Sequence, residues 1–305
     1  MELVMLVGVP ASGKSTVSER YARMGHLVLS SDKIRDALRA KDPAEKKPPH
    51  GIVFEQINMQ TRAALSKGQS VLVDATNLSR RRRTSFLRQW RKVDCVRKCL
   101  LMITPIPVCL RRNAQRPESA RVPEKDMHKM FMGFECPVLQ EGWDEIVPVV
   151  CPEPYRVPLE MMVGFEQDNP HHSRTLEGHT QAVVANLEAQ GCREQLLRVA
   201  RYHDAGKLYT KSFLNVHGQR TEHAHYRGHE NYSAYLYLTE RCCGRELTPE
   251  EFRDVLYETT LINCHMRPLV QWENRPEQRA EDAAFFGEGF VADLAALYEA
   301  DRVAH

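Results

Sequence analysis

Gly8-Val9-Pro10-Ala11-Ser12-Gly13-Lys14-Ser15 sets two glycines, a lysine and a hydroxyl in the spacing GxxxxGK[ST]. The glycines let successive backbone N–H groups turn inward around a phosphate chain at a helix N-terminus, where the dipole favours anions. Lys14 then reaches the β and γ oxygens of ATP and the Ser15 hydroxyl ligates Mg²⁺, with Gly8, Ala11, Ser12, Gly13 and Thr16 completing the cradle. Further along, Ser31-Asp32-Lys33-Ile34-Arg35 offers a carboxylate and, one helical turn later, a guanidinium. Asp32 is the expected general base for an attacking hydroxyl, and Arg35 the expected bidentate contact to an acceptor phosphate.

A different chemistry is written in the second half, which holds ten of the 13 histidines. His203-Asp204 lies in an apolar-periodic run read as one helix over 196–208. Neighbours on a helix point about 100° apart, so the pair cannot share one core face, yet both can reach a metal where several helices meet. His179, His229, His265 and Asp301 are further ligand types on or beside expected helices. Imidazole dominance favours Mn²⁺, Ni²⁺, Co²⁺ or Zn²⁺ over Mg²⁺. The nine cysteines contain no CxxC pair, which excludes a zinc ribbon and a disulfide framework.

The elements that must position these residues fall into two patterns. Apolar strands are expected at 3–7, 26–30, 70–75, 95–104 and 143–150, alternating with helices at 15–24, 53–67, 79–91 and 127–131, which predicts a parallel sheet flanked by helices. Residues 41–51, with three prolines, read as a polar loop, and the proline-dotted stretch 151–168 as a linker. From Thr175 onward the pattern is almost wholly helical. The expected domains are therefore 1–150 and 169–305, the first α/β and the second all-α. Residues 1–150 carry 26 Lys and Arg against 16 Asp and Glu, and residues 151–305 carry 16 against 24. The first half is thus built to meet polyanions, and the run Arg80-Arg81-Arg82-Arg83 reads as part of a basic track. The start has no basic segment ahead of an apolar one, and no stretch reaches about 18 consecutive apolar residues, so the expectation is a cytoplasmic chain without a membrane partner.

Taken together, the P-loop, the Ser-Asp-x-x-Arg segment and Asp74-Ala75-Thr76-Asn77-Leu78 with its following arginines resemble the kinase module of the polynucleotide kinases over about residues 1–150. The resemblance implies Asp32 as base for a 5′-hydroxyl, Arg35 and Asn77 on the acceptor, and a structural or metal-side role for Asp74. It also implies a lid arginine on the donor phosphates. Arg116 and Arg121 both qualify, and Arg121 is favoured because it precedes Pro123 and a short helix.

From about Asn169 to the end, the order His179, His203-Asp204, His229, His265, Asp301 is similar to the HD-domain metal-dependent phosphohydrolases. That resemblance implies an HD-type helical fold, two metal ions bridged by Asp204, and Lys207 and His172 on substrate phosphate. The sequence departs from many such proteins at Met266, where they carry Asp after the histidine. A DxDxT phosphatase motif is absent. The combined expectation is an RNA end-healing enzyme that phosphorylates 5′-OH ends and removes 2′,3′-cyclic, 2′- or 3′-phosphates, with a separate RNA ligase as partner. The alternatives are a kinase and nucleotidase of free nucleotides, or a non-catalytic RNA sensor gated by ATP.

Overall fold

The structure, a computed structural model, describes residues 1–41, 48–170 and 173–304. Its contacts divide the chain into two compact units, Met1–Met127 with Pro137–Cys151, and His128–Cys136 with Pro152–His305. The sequence reading assigned 128–136 to the first domain, but Phe131 and Phe134 set their rings against Tyr235, within the second unit. Nor is 151–168 a bare linker. Backbone N–H of Val157 donates to Glu240 (2.6 Å), and Gln167 is buried.

In the first unit, β1 (Glu2–Val7), β2 (Leu27–Ser30), β3 (Val71–Asp74), β4 (Val96–Ile103) and β5 (Glu145–Val150) form a parallel sheet in the order β2-β3-β1-β4-β5. Leu3 to Val7 are all buried, as a strand covered on both faces requires. The connecting helices are α1 (Lys14–Arg23), α2 (Ser31–Lys41), α3 (His50–Leu65), α4 (Arg80–Arg88), α5 (Ile106–Ala114) and α6 (Glu124–Phe131). Helix α5 is not among the helices expected from the sequence, and it follows Pro105. Pro107 stands in the first turn, where a missing N–H costs nothing.

Arg83 corrects the basic-track reading. It is fully buried, pairs with the buried Glu141 through Nε and Nη2 (2.7 and 2.6 Å), and donates to the carbonyls of Asn77 and Leu78. It thereby ties the loop after β3 to the Leu139–Glu141 turn. Arg81 and Arg82 remain exposed. Arg83→Ala is expected to destabilise the first unit by about 3–5 kcal/mol, because Glu141 is left charged and buried. Urea unfolding followed by tryptophan fluorescence checks this. A loss of about 1 kcal/mol or less would be the signature of a surface pair instead.

The second unit contains α7 (Leu176–Ala189), α8 (Glu194–Tyr202), α9 (Lys207–Thr210), α10 (His229–Cys242), α11 (Pro249–Cys264), α12 (Glu277–Phe286) and α13 (Glu288–Arg302). Val183, Leu187, Leu197, Val199, Leu261 and Leu294 are among the side chains that join α7, α8, α11 and α13 in one core. It is not all-α. Strands β6 (Ser212–Leu214) and β7 (Arg220–His225) form an antiparallel hairpin, with Gly218 at φ 78° and Asn215 Oδ1 accepting from the N–H groups of His217 and Gln219. The single helix expected over 196–208 is also interrupted: 203–206 form a turn between α8 and α9. Gly206 is required there, since a Cβ would lie 2.3 Å from the His229 carbonyl oxygen. No helix among the described residues is long and apolar enough to cross a membrane.

Candidate active sites

The turn after α8 carries His203 and Asp204 into the centre of the second unit, where α7, α10, α11 and α13 each deliver one side chain. Asp204 Oδ2 lies 3.5 Å from His179 Nε2 and 3.3 Å from His203 Nε2, while Oδ1 lies 3.1 Å from His229 Nε2 and 3.7 Å from His265 Nε2. Asp301 Oδ1 is 2.9 Å from His179 Nε2. One carboxylate thus presents each oxygen to a different pair of imidazoles. His179, His203 and Asp204, and likewise Asp204, His229 and His265, are close enough to hold an ion.

The hydrogen bonds behind the rings decide which nitrogens face inward. Nδ1 of His203, His229 and His265 lies 2.7, 2.7 and 2.8 Å from the backbone oxygens of Ala200, Tyr226 and Ile262. A carbonyl oxygen can only accept, so each Nδ1 carries hydrogen and the neutral ring offers its lone pair at Nε2. Two such atoms, of His229 and His265, face each other at 3.2 Å. Lone pair against lone pair is repulsive unless a proton or metal ion lies with them. The donor set of imidazole nitrogens and carboxylate oxygens fits a transition metal.

The rings differ in charge. Burial acts against the charged form of His203, but Asp204 and Asp301 outweigh it and hold its pKa up to about 10, so a metal ion at this Nε2 would have to displace a proton. Burial and the neighbouring imidazoles push His265 down to about 3. Burial acts against the Asp204 carboxylate, yet Lys207 and His203 keep its pKa well below the usual range. Lys207, expected on a substrate phosphate, is buried and donates to Asp204 Oδ2 (2.7 Å) and Gln167 Oε1 (2.9 Å). Its charge is directed at the Asp204 carboxylate. Gln167 is a contributor that the sequence reading missed, hidden in the presumed linker. His172 lies outside the described residues.

The phosphate loop runs from the buried end of β1 into α1. Ala11 and Gly13 take φ 61° and 98°, and a Cβ on Gly8 would meet Met102 at 2.6 Å, so the turn is tight and packed. Lys14 Nζ donates to the carbonyls of Gly8 and Val9 (3.1 and 2.7 Å), and burial lowers its pKa to about 8 against the opposing pull of Asp74 and Asp32. Ser12 Oγ donates to the Val9 oxygen (2.8 Å), while Ser15 and Thr16 are exposed at the start of α1. Asp74, at the end of β3, accepts from Ser18 Oγ (3.0 Å), and burial raises its pKa.

Asp32 stands exposed in the first turn of α2, its Oδ1 accepting from Arg35 Nη1 (2.7 Å). Both follow β2, at the carboxyl edge of the sheet where α/β folds bind ligands. Asn77, expected on the acceptor, has its amide nitrogen committed to the backbone. It is 1% exposed, at φ 48°, and its Nδ2 donates to the Leu6 oxygen (2.8 Å), so the side chain braces β1 against the loop after β3.

Residues 3–137 match a protein-family model described as an AAA domain. The chain is 25% identical over 148 residues to L-seryl-tRNA(Sec) kinase of Methanococcus maripaludis, a match that takes in 47% of this chain and 56% of that protein. Over its N-terminal half the chain is thus similar to a kinase, on a phosphate loop at the edge of a parallel sheet. Among solved structures it is similar to a candidate kinase from Chloroflexus aurantiacus (17% identity, 48% of this chain, 84% of that one, TM-score 0.42). A gluconokinase from Sinorhizobium meliloti is also similar (20% identity, 50% and 84% coverage, TM-score 0.37). The chain spans little more than half the length of this curated relative.

A P-loop kinase domain implies ATP and Mg²⁺. The structure distinguishes the two candidate lid arginines by their surroundings. Arg116 is half-buried and its charge bears on Lys14, whereas Arg121 is exposed and donates to the Arg116 carbonyl (3.2 Å). Arg116→Ala is therefore expected to lower kcat/KM for ATP on the order of 10²-fold, as removal of a transition-state donor does. Arg121→Ala should cost far less. Steady-state kinetics of both variants check this, and the reverse order would return the role to Arg121.

Proposed function

We propose that the chain heals RNA ends, with the kinase domain phosphorylating 5′-OH termini and the second unit acting as an HD-type phosphohydrolase on 2′,3′-cyclic, 2′- or 3′-phosphates. The observation that carries the reading is that Asp204, with each oxygen turned to a separate imidazole pair, shares a polypeptide with a P-loop that has a carboxylate and an arginine after β2. The curated relative is, by its name, a kinase of L-seryl-tRNA(Sec). The positive balance of the first half supports a polyanionic acceptor.

In the kinase reaction the 5′-oxygen attacks the γ-phosphorus, the bond from that phosphorus to the ADP oxygen breaks, and the hydroxyl proton passes to Asp32. Arg35 holds the phosphate on the 3′ side, and Lys14 with the loop N–H groups meets the charge that develops on the donor. Ser15 and Asp74 would hold Mg²⁺, which would supply further charge neutralisation. In the second unit, His179, His203, Asp204, His229, His265 and Asp301 would hold two ions of Mn²⁺, Ni²⁺, Co²⁺ or Zn²⁺. When bound, these would supply Lewis acidity towards water and phosphate. Lys207 pins the Asp204 carboxylate between the two imidazole pairs. Hydrolysis opens the cyclic diester and then releases inorganic phosphate.

The products, a 5′-phosphate and a free 3′-hydroxyl, are the ends that a separate RNA ligase joins. The test is an RNA with 5′-OH and 2′,3′-cyclic phosphate ends, incubated with ATP, Mg²⁺ and a panel of transition metals. Both ends should be converted. Rapid hydrolysis of free nucleotides with both RNA ends untouched would overturn the reading.

A further inference from the structure

Beside the candidate base, the kinase domain has a cleft of about 400 Å³ between α3 and α4. Met5 of β1 and Val73 of β3 give it an apolar floor. His50 stands in its wall and its Nδ1 lies 3.4 Å from Arg35 Nη2, so the cleft begins where Asp32 and Arg35 stand.

Three features define what fits. First, the Arg82 guanidinium lies 5.0 Å over the Phe54 ring, and both line the cleft, giving it flat, polarisable surface. Second, two buried amide oxygens on its lining, Asn58 Oδ1 and Asn77 Oδ1, have no hydrogen-bond partner among the described residues. Asn77 Nδ2 is committed to the Leu6 oxygen, so its Oδ1 is the atom left to accept. Buried acceptors are nearly always satisfied in folded proteins, and an orphan in a cleft wall asks for a ligand donor. Third, the exposed Arg81 and Arg82 bring positive charge to the cleft's polar side, and Arg35 does so at its His50 end. A ligand that meets all three has a π face, N–H groups on its edge and an anionic tail. A sugar lacks the first, and an acidic peptide presents no flat ring edged with donors.

We propose that this cleft seats the nucleobase of the acceptor's first nucleotide, stacked against Phe54 and Arg82, with its edge N–H groups donating to Asn58 and Asn77 and its phosphate reaching Arg35 and Arg81. The proposal rests on the reading of this domain as a kinase of polynucleotide ends. It makes acceptor binding depend on a base without selecting one sequence, because every base has a π face.

The experiment is calorimetric titration of the full-length protein with adenosine 3′-monophosphate and with ribose 3-phosphate, which lacks the base. The nucleotide is expected to bind about tenfold tighter or more. Phe54→Ala and Asn58→Ala should each bring that ratio towards one while ribose 3-phosphate binds as before. Phe54→Trp should restore it. Asn58 is only half-buried, so its variant keeps the test available if Phe54→Ala fails to fold.

Equal binding of the two ligands by the wild type, or an unchanged ratio in both alanine variants, overturns the proposal. A base-dependent ratio that is lost in the variants, in a protein that transfers no phosphate to RNA, supports the cleft and rejects the end-healing kinase. Transfer to RNA with an unchanged ratio in the variants rejects the cleft and leaves the kinase standing.

Discussion

Asp32→Ala is expected to lower transfer of the ATP γ-phosphate to a 5′-hydroxyl by about 10²–10⁴-fold, the range for loss of a positioned general base. ATP affinity and release of 3′-end phosphate should stay near wild type. The separation follows from position. Asp32 lies on the first turn of α2, exposed and hydrogen-bonded to Arg35, whereas Lys14 is held by the loop's own carbonyls and the loop is braced by Ser12, Met102 and the Gly8 N–H to the Thr76 oxygen (3.0 Å). Removing the carboxylate frees Arg35 from one partner but leaves it near Ser31 Oγ and His50, so the acceptor phosphate contact survives. The loss should therefore appear in kcat, with the acceptor KM little changed. Asp32→Asn, which keeps the shape and loses the basicity, should match the alanine variant. Full transfer activity in either would remove Asp32 from the mechanism.

Much of the geometry that makes this prediction possible was legible before any coordinates. The run Leu3 to Val7 has no polar residue, and only a strand covered on both faces uses such a run, so the parallel sheet and the loop at its edge followed. The histidines and aspartates of the second half were legible as residues but not as an arrangement. Chain order cannot say that one Asp204 oxygen turns to His179 and His203 and the other to His229 and His265. That depends on the turn over 203–206, which exists because Gly206 lets the chain press against α10.

Other features leave no local trace in the sequence, for physical reasons. Arg83 sits in a run of four arginines, and a run of like charge reads as solvated surface. Its partner Glu141 is 58 residues away, and no local pattern announces a buried ion pair at that separation. Gln167 looked like linker because prolines precede it, yet it is 1% exposed and holds Lys207. The β6–β7 hairpin has strands of three and six residues, too short for alternation to emerge from a helical background.

The second large effect belongs to the cluster. Asp204→Asn is expected to abolish both bound transition metal and hydrolysis of 2′,3′-cyclic ends, while phosphorylation of 5′-OH ends is retained. An amide has one oxygen where the carboxylate has two, and its NH₂ would face lone pairs that a metal is meant to take. Neither imidazole pair then keeps an anionic partner on Asp204. The variant also takes the Asp204 carboxylate from the buried Lys207, and removing one member of a buried ion pair costs about 3–5 kcal/mol. Lost activity could then be mistaken for a lost fold. The double variant Asp204→Asn with Lys207→Met removes the cation together with its partner, so the second unit should regain most of its thermal stability yet still bind no metal. Metal analysis by mass spectrometry, circular dichroism melting and end analysis of the RNA separate the two effects. Asp204→Asn with wild-type metal content would break the bridging assignment, and restored metal in the double variant would mean that the single variant had failed through folding rather than through the loss of a ligand.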